Sequence, residues 1–263
     1  MKSIDELKKE LTIIEKDINS YDEEDLFFLE ELTEEIQQFK LLVKQDNQKG
    51  ANNSFGLVLL YFGDCLTDLA EIMDEDKERI ELLNKAVKTY KHSLNFNDEL
   101  SDTYYNLGSV IIDVAELSEE KEAEKLLKEA IKHLEKSIEL DDSYPDVFYN
   151  LGIAYYDLSK LTGDKAKLLN EAIKNYKKSV AIDKEYSDAY YNIAVSLSEF
   201  EVSNKGKELE DLLKEEITYY DKAIETDEFN FDAFYGKGKT LATLAELKSG
   251  KEKDELLKQA EKC

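Results

Sequence analysis

The stretch Tyr104-Tyr105-Asn106-Leu107-Gly108 decides the reading of this chain, because it returns. It comes back as Phe148-Tyr149-Asn150-Leu151-Gly152, as Tyr190-Tyr191-Asn192-Ile193-Ala194 and, in worn form, as Phe234-Tyr235-Gly236-Lys237-Gly238. The copies lie about 43 residues apart, a period at which each unit is too small to bury its own apolar face and must do so against its neighbours. One proline in 263 residues, no tryptophan and an abundance of Glu, Lys and Leu make the repeating unit helical throughout.

Working outward, four tracts rich in turn and N-cap residues separate the two helices of each unit. They are Asp74 to Asp76, Ser118, Thr162-Gly163-Asp164 and Ser203-Asn204-Lys205-Gly206. The units meet at Asn95 to Asp98, Asp141-Asp142-Ser143, Asp183-Lys184 and Asp227-Glu228, and Pro145 falls in the first turn of a helix, where its missing N–H costs nothing. This predicts repeats over about 51–96, 97–140, 141–182, 183–226 and 227–263, the last incomplete, with Leu256 and Leu257 exposed at the open end. Residues 1–50 are predicted to form a helical hairpin that caps the first repeat. Ser3 and Glu6 fit a capping box there, Ile4, Leu7, Leu11, Ile14 and Ile18 form one stripe, and Leu26 to Val43 form a second after a break at Asn19 to Asp22. A self-associating coiled coil is the other reading of that segment.

The net charge of −25 repels phosphate backbones and anionic lipid, so nucleic-acid and membrane partners are not expected. Arg79 is the sole arginine, which leaves anion recognition to lysine. Cys65 and Cys263 form neither a disulfide framework nor a metal spacing, and Met1 to Glu6 begin no apolar signal core, so a reducing, cytoplasmic setting is expected. No cofactor, metal or catalytic constellation is nominated. His92 and His133 occupy non-equivalent places and read as surface residues, and Gly50, Gly56 and Gly63 are not followed by the Lys-Ser or Lys-Thr of a phosphate loop.

The repeat resembles the tetratricopeptide (TPR) family. An aromatic, then Leu-Gly, an aromatic, Ala and a further aromatic fall at Phe148, Leu151, Gly152, Tyr155, Ala172 and Tyr176, and Tyr104, Leu107, Gly108, Ile111, Ala130 and Leu134 follow closely. TPR units have about 34 residues, so these carry about ten more, placed between the glycine of the first helix and the alanine of the second. Shared equally, the extra length makes each helix roughly 7 Å taller. The closing proline of the family is replaced by Asp142 and Lys184.

The resemblance implies an all-α, right-handed α-solenoid whose first helices line a concave, peptide-binding groove. By the family's pattern the groove-facing residues are Asp102, Asp146, Asp188 and Asp232, then Tyr105, Tyr149, Tyr191 and Tyr235, then Asn106, Asn150 and Asn192, with Gly236 ending the last series. Asn can hold an extended backbone through its donor and acceptor. Asp and Tyr favour lysine or arginine on the ligand through charge and cation–π contact. Each set also has a structural reading: Asp at the helix dipole, Tyr packed between first helices, Asn in an inter-repeat hydrogen bond. The expected function is a non-enzymatic adaptor for a basic or neutral peptide. The alternatives are a self-assembly module, a homo-oligomer joined through the open C-terminal end, and the interaction region of a longer protein, with an enzymatic domain after Cys263 one form of that last.

Overall fold

The structure, a computed structural model, describes residues 2–21, 29–200 and 205–263. Leu26, Asp22, Ser203 and Asn204, assigned above, lie outside them. The described residues form helices and no strands, and no helix among them is long and apolar enough to cross a membrane. The chain divides into two compact units, Met1–Asp142 and Ser143–Cys263.

The first unit contains α1 (Ile4–Ile18), α2 (Leu29–Lys44), α3 (Gln48–Glu71), α4 (Asp76–Ser93), α5 (Ser101–Glu116) and α6 (Glu120–Leu140). Both halves of the Ser3–Glu6 capping box form: the Ser3 hydroxyl accepts from the Glu6 N–H at 3.3 Å and the Glu6 carboxylate from the Ser3 N–H at 2.7 Å. The first two helices do not make a self-packed hairpin. Each packs on α3 instead, with Lys40 paired to Glu15 at 2.6 Å as a tie between them. Helix α3 is consequently enclosed by α1, α2, α4 and α5, which is why Phe55, Val58, Leu59, Phe62, Cys65 and Leu66 are all buried along it. The second unit contains α7 (Pro145–Leu161), α8 (Lys165–Ile182), α9 (Ser187–Ser198), α10 (Lys207–Thr226), α11 (Phe231–Glu246) and α12 (Gly250–Ala260), each packed on the next in chain order. Pro145 opens α7 at its first turn.

In the first three repeats the two helices close on the signature glycine. A Cβ on Gly108 would stand 2.6 Å from Cγ of Leu134, and one on Gly63 or Gly152 would run into the ring of Tyr90 or Tyr176. Ala86, Ala130 and Ala172, one turn before these knobs, are fully buried. A hydroxyl then locks the far end of two first-unit pairs: Ser93 donates to the Gly56 carbonyl at 2.6 Å and Ser137 to the Ser101 carbonyl at 3.0 Å.

The extra length of the repeats is shared differently from one repeat to the next: α7 and α8 have 17 and 18 residues, as equal sharing predicts, whereas α3 has 24 against 18 for α4. The first helices α5 and α9 have 16 and 12 residues, whereas their partners α6 and α10 have 21 and 20. The second helices carry the dense i,i+3 and i,i+4 ion pairs, such as Lys128–Glu124 and Lys214–Glu210, that support a long solvated helix.

Gly152→Ala is expected to lower stability by about 1–2 kcal/mol in chemical denaturation, the clash with Tyr176 outweighing the roughly 1 kcal/mol gained in helix propensity. Gly163→Ala, with nothing within 4 Å, is the matched control and is expected to change stability by under about 0.5 kcal/mol.

Candidate functional site

Along α3, Asp64, Thr67, Asp68 and Glu71 follow at i, i+3, i+4 and i+7, and so share one face. Along α5, Asn106, Ser109, Val110 and Asp113 do the same. The two faces, with Tyr105 at the rim and Tyr90 of α4 at the floor, enclose a cleft of about 330 Å³. Its lining is acidic.

Asp64 is 7% exposed and accepts two hydrogen bonds of 2.7 Å, from the Tyr90 hydroxyl and from Nδ2 of Asn106. Those donors favour the carboxylate, yet burial outweighs them and lifts its pKa to about 6, with Asp68 and Asp102 adding like charge. Asp68 is also lifted to about 6, by burial and then by Glu71, and its Oδ2 is enclosed without a protein donor. Asp113 rises to about 7 through burial and the charges of Glu116 and Glu71, against a smaller opposing pull from Arg79. The sole arginine of the chain thus acts on Asp113 without restoring it to the ordinary carboxylate range. The Tyr90 phenol, held well above its ordinary range by burial and Asp64, stays protonated and serves as a donor, steadied by Thr67 at 3.1 Å.

The residues predicted from the repeat are divided between roles. Asn106 donates to Asp64 of the preceding repeat and Asn192 donates to the Tyr149 hydroxyl at 3.0 Å, again one repeat back. Both amides therefore engage the inter-repeat seam, and Asn150 lies half-buried on α7. The series ends at Gly236 for a steric reason: a Cβ there would meet the Tyr220 ring at 2.5 Å. Tyr149 packs between Tyr176 and Tyr186, with ring centroids 5.8 and 4.9 Å away, and burial followed by the charge of Asp188 pushes its phenol up to about 12. Tyr191 lies 6.0 Å from Tyr220, and burial and the charge of Asp232 raise its pKa. Tyr105 is half-buried at the cleft and Tyr235 is 76% exposed. Asp102, Asp146, Asp188 and Asp232 are exposed second residues of α5, α7, α9 and α11, where each faces the positive helix end. Asp146 additionally accepts from the Tyr186 hydroxyl at 2.8 Å.

The histidines are less exposed than their sequence places suggest. His133 stacks on Tyr104 at 6.0 Å and His92 lies 5.3 Å from Phe96, and burial is the leading cause that lowers both pKa values. Among the described residues no group of His, Cys, Asp and Glu is arranged to hold a metal ion. The cleft acids Asp64, Asp68, Glu71 and Asp113 were not singled out by the repeat pattern. The signal for Asp64 was present, a lone carboxylate inside the apolar run Leu57 to Leu66.

Asp113→Asn is expected to raise stability at neutral pH by about 1–3 kcal/mol. Because the folded pKa of Asp113 lies above the unfolded one, the native state loses stability as pH rises from about 4 to about 7. The gap between variant and parent in urea denaturation should therefore widen over that range and level off above it. Asn106→Ala is expected to cost about 1–3 kcal/mol, since it strips a donor from a buried carboxylate, and the loss should shrink at a pH low enough to protonate Asp64.

The comparisons with known proteins agree with this architecture. The crystal structure of MamA aligns with 72% of this chain and 94% of its own at 22% identity and a TM-score of 0.51. YrrB, described as a TPR protein with an unusual peptide-binding site, aligns over 78% of this chain and 84% of its own at 20% identity and a TM-score of 0.52. TTC0263, a thermophilic TPR protein of Thermus thermophilus, covers 79% of this chain and 98% of its own at 15% identity and a TM-score of 0.50. At such identities the likeness speaks for the fold, which is that of TPR proteins. No curated protein matches the sequence. A family model does, over residues 21–163, more than half of the chain and the whole of the acidic cleft. The chain belongs to the family described as Regulator of microtubule dynamics protein 1-3.

Proposed function

We propose that this chain is a non-catalytic adaptor that binds an extended, basic or neutral segment of another protein, and that the cleft between α3 and α5 receives a lysine or arginine side chain of that segment. One observation carries the reading: Asp64, Asp68 and Asp113 line a single cleft with pKa values of about 6, 6 and 7. Carboxylates so displaced are held at a free-energy cost that the donors to Asp64 and the charge of Arg79 offset only in part. A cation placed among them recovers part of that cost and draws their pKa values back down.

Tyr105 lines the same cleft and sets an aromatic ring beside these acids. The exposed Asp102, Asp146, Asp188 and Asp232 carry acidic character onto the first helices of both units. YrrB offers a precedent for peptide binding on this fold, and the family's description points to the microtubule system as the place to seek the ligand. A cytoplasmic location is part of the proposal. The second reading, self-association, draws on α12, which has no buried residue and leaves Leu257 exposed.

The test is binding of a lysine–serine peptide as a function of pH. Affinity is expected to rise between about pH 5 and pH 8 as the three carboxylates lose their protons while the peptide lysines keep theirs. Asp68→Asn combined with Asp113→Asn should flatten that rise and weaken binding about tenfold or more at pH 8. A pH-independent affinity in the parent would exclude the cleft, and light-scattering mass that grows with concentration in the absence of peptide would favour self-association.

A further inference from the structure

The fifth repeat departs from the others at two places. Where the earlier repeats carry Glu99, Ser143 and Glu185 it has Phe229, and where they carry Ser101, Pro145 and Ser187 it has Phe231. Neither phenylalanine is used in packing: Phe229 is 68% exposed and Phe231 74%. Tyr235, one turn beyond Phe231 on the same face of α11, is exposed to the same degree, and with Phe229 just before the helix three exposed large rings stand at its start. An exposed aromatic patch with no internal partner marks an interaction surface.

The charges around the patch select its occupant. Glu228 and Asp232 flank the rings in sequence. The start of α9, which carries Asp188, is held against the start of α11 by Asn230 donating to the Ser187 hydroxyl at 3.0 Å. Among nearby lysines, Lys237 is committed to Asp221 at 2.5 Å and Lys222 to the rings of Tyr190 and Tyr219, while Lys239 lies one turn past Tyr235 and marks the far limit of the acidic zone. A second copy of this chain would set acid against acid.

We infer that the Phe229–Phe231–Tyr235 patch is a docking surface for a bulky apolar side chain flanked by lysine or arginine in a segment of a partner protein. This rests on the adaptor reading and adds to it an exposed aromatic surface on the second unit. Rings of this size can cover an aliphatic or aromatic side chain while Asp232, Glu228 and Asp188 pair with the neighbouring cations.

The test compares a lysine–serine peptide carrying a single phenylalanine with the same peptide carrying serine there, by fluorescence anisotropy. The parent protein is expected to prefer the phenylalanine peptide by about tenfold, the scale of one partly buried aromatic side chain. Phe229→Ser with Phe231→Ser, which installs residue types found at these places in sister repeats and removes only exposed side chains, should abolish the preference without moving the thermal midpoint. Binding of both peptides with equal affinity, weakened by Asp113→Asn, would overturn the docking surface and leave the adaptor reading standing. Failure of both peptides to bind would overturn the adaptor reading itself. A parent dimer that the double Phe→Ser variant converts to monomer would assign the patch to self-association and likewise overturn the inference.

Discussion

Where Gly63 meets Tyr90, Gly108 meets Leu134 and Gly152 meets Tyr176, the two helices of a repeat approach so closely that no side chain fits on the first. Each contact sets one large knob into a hole made by the absence of a Cβ, and the buried alanine one turn earlier lets the rest of the second helix follow. The glycine costs helix propensity, of order 1 kcal/mol, and the burial of a whole tyrosine or leucine side chain more than offsets it. The pairing recurs, and so the fold tolerates wide variation elsewhere: α9 has 12 residues and α3 has 24.

The same contact governs the chemistry of the cleft. Tyr90 is both the knob that fills the space over Gly63 and the donor that holds Asp64. Asp64 in turn receives the Asn106 amide from the next repeat, so packing within one repeat and registry between two are linked through a single buried carboxylate. In the second unit a phenol takes the place of that carboxylate: Asn192 donates to Tyr149, which is itself wedged between two tyrosines. The geometry is shared and the charge is not. An acid is therefore not required for the inter-repeat bond, and the presence of one at Asp64 despite its raised pKa is a reason to read the cleft as functional.

The recurring pentapeptide made the helix pairs, their breaks and the glycine seam legible, since each depends on local spacing: Ser118 and Thr162 to Asp164 fall between helices, and Pro145 opens one. What spacing could not convey was which partner each polar side chain meets. Asn106 and Asn192 look alike in sequence and both face the preceding repeat, but one finds Asp64 and the other Tyr149. The N-terminal helices were recognisable as amphipathic, while their preference for α3 over each other depends on how apolar α3 is on every side. How the extra residues divide between the two helices changes from repeat to repeat, which a consensus centred on core positions does not record.

Charge is disposed differently in the two units. In the first unit the acids are buried or half-buried, and burial is the first cause that raises their pKa values, with neighbouring carboxylates adding to it. In the second the acids are exposed and screened, each worth little alone, and they stand beside the exposed rings of Phe229, Phe231 and Tyr235. A carboxylate alone accepts cations of many kinds, and an apolar patch without charge accepts hydrophobic surface of many kinds. At the Phe229–Phe231–Tyr235 patch, the proposed discrimination comes from requiring both in one ligand, because a segment that satisfies only one leaves either an unpaired carboxylate or a wet aromatic surface.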